Sequence, residues 1–121
     1  MDKAEHLTFD DLREANLSRC EGAFHPISSW SPTDWACAMA GECGEACNLT
    51  KKLRRATGPT MDKGKANTPT VQALIPMIAD ELADTIIYAD LLAERLGINL
   101  GTAVRKKFNR VSDRVGSSVR L

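Results

Sequence analysis

A carboxylate in the middle of a helical apolar stripe restricts this chain more than any other feature. Over residues 35 to 53, WACAMAGECGEACNLTKKL, a turn of about 100° per residue puts Trp35, Met39, Ala46, Leu49 and Leu53 on one face, with Glu42 near its centre. Glu45 follows at the edge of that stripe, and Lys52 continues its track. A buried carboxylate without a partner is costly, so it needs a cation, a proton or a dense set of donors. A divalent metal meets the need most simply.

The pattern recurs in ADELADTIIYADLLAERL, residues 79 to 96. There Ile78, Leu82, Ile86, Ala89, Ala93 and Leu96 form an apolar stripe, and Glu81, Asp84 and Tyr88 project together beside it. Ile87 and Leu91 flank these acids on the far side, while Asp80, Asp90 and Glu94 read as the solvated face. Two packed helices, each with an acid pair at i and i+3, would bring Glu42, Glu45, Glu81 and Asp84 together. Such an oxygen-only set calls for hard cations, Mg²⁺ or Mn²⁺ rather than zinc.

The remaining elements also read as helices, so the expected fold class is all-α, one domain over residues 1–121. Leu7 to Cys20 forms a first helix, with Thr8 as N-cap, Asp11 three residues on and Gly22 available to end it. Arg13 and Asn16 on it are candidate ligand contacts. Ser31, Pro32 and Asp34 start the second helix, which should run to about Arg55. A loop follows over 56–69, where Lys63 and Lys65 join Lys51, Lys52, Arg54 and Arg55 as cations able to meet a polyanion. Pro76 either kinks the third helix or begins it, and Gly97 closes it. Asn99 caps a basic fourth helix carrying Arg105, Lys106, Lys107, Arg110 and Arg114, with Val104, Phe108, Val111 and Val115 as its apolar face.

Aromatic residues make up only 5% of the chain, and Phe24, Trp30 and Trp35 fall close together beside His25. They suit either stacking on a nucleobase or covering the end of the core. The four cysteines, Cys20, Cys37, Cys43 and Cys47, read as small packing residues of a reducing compartment, since no zinc-type spacing completes the Cys43 and Cys47 pair. With 16 basic and 16 acidic side chains the net charge is zero, which argues against bulk nucleic-acid coating or electrostatic membrane adhesion. The polar, acidic start of the chain is unlike a signal or transit peptide, and a cytoplasmic location is expected.

The combined pattern, ExxE at Glu42 and Glu45, ExxD at Glu81 and Asp84, then KKFNRVSDR on a basic helix, resembles the MazG-like all-α nucleoside triphosphate pyrophosphohydrolases over about residues 24 to 115. The resemblance implies a four-helix bundle assembling as homodimer or homotetramer. It implies metal-dependent cleavage of a nucleoside triphosphate between the α and β phosphates, giving the monophosphate and pyrophosphate. Glu42, Glu45, Glu81 and Asp84 would hold Mg²⁺ or Mn²⁺. Lys52, Lys107, Asn109 and Arg110 would contact phosphates, Tyr88 would lie near the substrate, and His25, Trp30 and Trp35 would help enclose the base. The WSPTDW segment and the ending KFNRVSDRVG look similar to phage-borne members, including the MazZ branch, which makes a purine (dGTP or GTP) the expected substrate. The stretch between Glu45 and Glu81 is longer than the family commonly shows and reads as an added lid or substrate element. The contrasting expectation is a helical module without catalysis, its basic last helix docking on nucleic acid or a protein partner.

Overall fold

The computed structural model, which describes residues 6–57 and 69–121, is all-helical. Its described residues form α1 (Phe9–Ala23), a 3-10 turn (Ile27–Ser29), α2 (Pro32–Thr57), α3 (Val71–Arg95) and α4 (Leu100–Val115), with no strand. None of these helices is long and apolar enough to cross a membrane. The chain falls into two compact units, Met1–Thr33 with Asp90–Leu121, and Asp34–Ala89.

In the first unit, α1 starts at the capping box expected from sequence. Thr8 Oγ1 accepts from the Asp11 N–H at 3.1 Å, and Asp11 Oδ2 accepts from the Thr8 N–H at 3.0 Å. The helix runs to Ala23, so Gly22 lies inside it rather than ending it. Asn99 caps α4 by accepting from Thr102 N–H at 3.0 Å. Next to that cap, α1 and α4 approach so closely that a Cβ placed on Gly101 would lie 3.3 Å from Phe9 Cβ. Gly116, at φ 72°, ends α4 in the left-handed conformation that glycine adopts most easily.

The same unit corrects the expectation for Asp90. Read as a solvated acid, it is 1% exposed, the most buried carboxylate described. Arg13 Nε donates to its Oδ1 at 3.0 Å and Asn16 Nδ2 to its Oδ2 at 3.1 Å. The Arg13 guanidinium extends further, to Glu94 Oε2 at 2.7 Å and to the Ile98 carbonyl at 2.9 Å. Arg13 and Asn16, readable from sequence as either ligand contacts or exposed helix polar groups, thus have a structural task, holding α1 to the end of α3.

In the second unit the α2 stripe is buried as its periodicity requires: Trp35 is fully buried, Ala46 and Leu49 are buried, and Met39 and Leu53 are half-buried. Helix α3 starts at Val71, ahead of Pro76, with Thr70 Oγ1 accepting from the Ala73 N–H at 3.2 Å. Pro76 therefore sits within the helix. Its inward side differs from the expected one. Leu82 and Ile86 are 55% and 51% exposed, whereas Leu74 is fully buried and Glu81, Asp84 and Tyr88 are half-buried. The acids share the sheltered side of α3; of the expected stripe, Leu82, Ile86 and Leu96 are exposed, Ile78 and Ala89 are half-buried, and Ala93 is buried.

Other expectations shift in similar ways. On α4 the apolar residues Val104, Phe108 and Val115 are exposed, and Ser112 is the buried one. Leu91, one of the two residues read as flanking the acids on the far side, is buried. Of the cysteines only Cys20 is buried, where burial pushes its thiol pKa up; Cys37, Cys43 and Cys47 are exposed free thiols, so packing does not account for them. Helix α2 continues two residues past Arg55 to Thr57, and the expected loop lies from residue 58 to 68, with Lys63 and Lys65, outside the described residues.

Candidate functional site

Helix α2 positions Glu42 on its buried stripe, and α3 positions Glu81 and Asp84 one turn apart on its sheltered side. Their carboxylates converge: one oxygen from each of Glu42, Glu81 and Asp84 lies within 4.8 Å of the other two. All three side chains are half-buried. Glu45, expected as the fourth member, lies one turn along α2, is exposed, and is not in this group. At the stripe's edge, a rotation of 60° from Glu42 is enough to turn it toward solvent.

Glu81 is the most constrained of the three. Its Oε2 is buried and has no hydrogen-bond partner, the one side-chain atom of this kind among the described residues. A hydrogen bond with the Glu42 carboxyl raises the pKa of Glu81, and burial and the negative charges of Glu42 and Asp80 push it the same way. An uncompensated buried acceptor beside two further carboxylates also has the chemistry that a hard divalent cation takes.

Close to these acids in the sequence, Tyr88 lies one turn beyond Asp84 and packs against Trp35, with ring centroids 6.3 Å apart. Trp35 is fully buried, so it belongs to the core of this unit and offers no face to a base. Lys52 is exposed at the far part of α2.

In the other unit, Phe24, His25 and Trp30 form an aromatic cluster. His25 stacks on Trp30, with centroids 4.4 Å apart and planes inclined by 30°, and Phe24 meets them edge-on at 4.5 and 6.0 Å. The segment is held by Glu21 Oε1, which accepts from the Ile27 N–H at 2.8 Å, and by the Trp30 carbonyl, which accepts from Arg95 Nε at 2.9 Å. Phe24 and His25 are exposed and Trp30 is half-buried, a surface on which a planar ring can stack. Sequence proximity grouped Phe24, His25 and Trp30 correctly.

The cations expected at phosphates, Lys107 and Arg110, are exposed on α4. Asn109 is half-buried and engaged: its Oδ1 accepts from the Leu121 N–H at 3.0 Å, and its Nδ2 donates to the Leu121 carbonyl at 3.4 Å. Nothing in the local sequence pattern signals that pairing, which depends on the reversal at Gly116. Asn16, as above, is buried against Asp90.

Comparison with known proteins adds no relative: no family model, no curated protein and no solved structure matches the chain.

Proposed function

We propose that this chain is a metal-dependent nucleoside triphosphate pyrophosphohydrolase of the MazG-like kind, cleaving between the α and β phosphates of a purine nucleotide, dGTP or GTP, to release the monophosphate and pyrophosphate. The observation that carries the reading is the convergence of Glu42, Glu81 and Asp84 around a buried Glu81 oxygen that no protein donor satisfies. A salt-bridged structural acid looks different: Asp90 has Arg13 and Asn16 on its two oxygens.

In this reading Glu42, Glu81 and Asp84 hold Mg²⁺ or Mn²⁺, with Glu45 as the outer acid of the set. When bound, the metal supplies charge neutralisation at the phosphates and a lowered pKa for an attacking water. The chain's own residues do the rest. A cation held there would compete with a proton for Glu81, whose pKa is raised, and the packing of Trp35 on Tyr88 fixes α3 beside α2 so that the acids stay in register. By resemblance, Lys52, Lys107, Asn109 and Arg110 serve phosphates, Tyr88 lies near the substrate, and the His25 and Trp30 rings receive the base. A four-helix MazG-like bundle working as a homodimer or homotetramer, in the cytoplasm, belongs to the same proposal.

Chromatographic product analysis tests it. The protein is incubated with each common NTP and dNTP plus Mg²⁺, Mn²⁺ or chelator. Monophosphate and pyrophosphate formed only with metal, fastest from a purine, is the expected result; stepwise orthophosphate release excludes the reading.

One observation favours a second reading. Arg105, Lys106, Lys107, Arg110 and Arg114 are all exposed on α4, as a helix docking on nucleic acid or an acidic protein requires. That module would show steep salt dependence of binding and no metal-dependent turnover.

A further inference from the structure

After Gly116 the chain reverses and returns along α4. The reversal is fixed by the Ser117 N–H, which donates to the Ser112 carbonyl at 2.8 Å, and by the Gly116 N–H, which donates to the Asp113 carbonyl at 3.3 Å. Two pins one helical turn apart then hold the returning segment to α4. Arg120 pairs with the Asp113 carboxylate and also donates to the carbonyls of Ser117 and Val119, at 2.8 and 2.9 Å. Leu121 exchanges both of its backbone hydrogen-bonding groups with the side-chain amide of Asn109. Beyond this second pin, Leu121 lines a cavity of about 430 Å³ together with Leu7, Phe9, Val104 and Arg105.

Asn109 is the one residue among those assigned to phosphates whose polar atoms the chain itself already engages through both ends of the amide. Pairing with the Leu121 backbone takes up the Oδ1 and one of the two N–H groups of the Asn109 amide, and a phosphate oxygen that uses that N–H must displace Leu121. We propose that Ser117–Leu121 is an autoinhibitory strap that competes with the triphosphate for Asn109. This rests on the phosphate role of Asn109 in the function proposed above. The strap is built to yield: its ion pair is exposed, with side chains 44% and 68% accessible, and exposed pairs hold weakly. A polyanion arriving at Lys107 and Arg110 also attracts Arg120, so the ligand that needs Asn109 weakens the pin that covers it.

The test uses the full chain with Arg120→Gln and, separately, Asp113→Ala. These break the same pin while changing net charge in opposite directions. Equilibrium binding of the α,β-methylene analogue of dGTP is measured by calorimetry with Mn²⁺, and turnover of dGTP in parallel. The strap predicts that both variants bind the analogue about two- to fivefold more tightly, with kcat unchanged. It also predicts that Asn109→Ala binds no tighter when combined with either of them. Affinities that are unchanged, or that move in opposite directions with the sign of the charge change, overturn the strap, and so does the absence of binding to every protein. Tighter binding in both variants with no turnover anywhere retains the strap and removes the enzymatic reading alone.

Discussion

Glu42 on α2 and Glu81 on α3 meet in the interior of one unit, where their hydrogen bond raises the pKa of Glu81 and the Oε2 of Glu81 is buried and unmatched. The pair makes the metal-free protein sensitive to pH in a defined direction. The folded-state pKa of Glu81 is raised above its ordinary 4.5, so its contribution to stability is fully present below pH 4.5 and is lost as pH rises through the folded value. Thermal unfolding of the chelator-treated protein should therefore show a component of stability that declines as pH rises from 4.5. Glu81→Gln, which keeps the hydrogen bond and cannot ionise, should lack that decline and melt higher than the parent at neutral pH. A pH profile identical in parent and variant would contradict the raised pKa of Glu81.

The acids differ in how they meet the interior, and metal affinity should follow that difference. Glu42→Gln and Asp84→Asn should each abolish Mn²⁺ binding measured by calorimetry or by paramagnetic titration. Glu45→Gln, at an exposed position outside the converging group, should weaken it within about tenfold. Equal loss in all three variants would place Glu45 at the centre of the site.

Arg13→Ala strips the guanidinium from a carboxylate that is 1% exposed. Breaking a buried pair on one side costs about 3–5 kcal/mol. Arg13 is itself 24% accessible and water can partly replace it, so a loss of about 2–3 kcal/mol is expected in urea unfolding. Asn16→Ala should cost about 1–2 kcal/mol by the same measurement. Losses under 0.5 kcal/mol in both would mean that the Asp90 network contributes little.

How much of this was readable in advance depended on where the partners lie in the chain. The Glu42 stripe of α2, the Thr8 capping box and the Asn99 cap are properties of consecutive residues, and their spacing alone placed them. Asp90 failed because its donors come from α1, more than seventy residues earlier, and no helical periodicity contains them. The inward side of α3 was misassigned for a related reason. Ile78, Leu82 and Ile86 make the cleaner apolar stripe, but α3 turns Leu74, Glu81, Asp84 and Tyr88 inward, so that an acid-bearing side is sheltered and Leu82 and Ile86 are left exposed. Of the candidate site, the three inner acids and the burial of Trp35 were legible; the outward position of Glu45 and the engagement of Asn109 by Leu121 were not.

Gly44 offers a stability gain at a position that touches nothing. It lies within α2, is exposed, and a Cβ there would meet no atom within 4 Å. Gly44→Ala should raise stability by about 0.5–1 kcal/mol through the reduced freedom of the unfolded chain. A loss instead would reveal a close neighbour on that side of α2, such as another copy of the chain.

The central claim is that the inner acids serve attack of water on the α phosphorus. Turnover in H₂¹⁸O with Mn²⁺, followed by mass spectrometry of both products, tests it most directly. The account predicts one ¹⁸O in the nucleoside monophosphate, unlabelled pyrophosphate, and no labelled product from Glu42→Gln. Label in the pyrophosphate, release of orthophosphate, or equal turnover by the Glu42→Gln protein would contradict it.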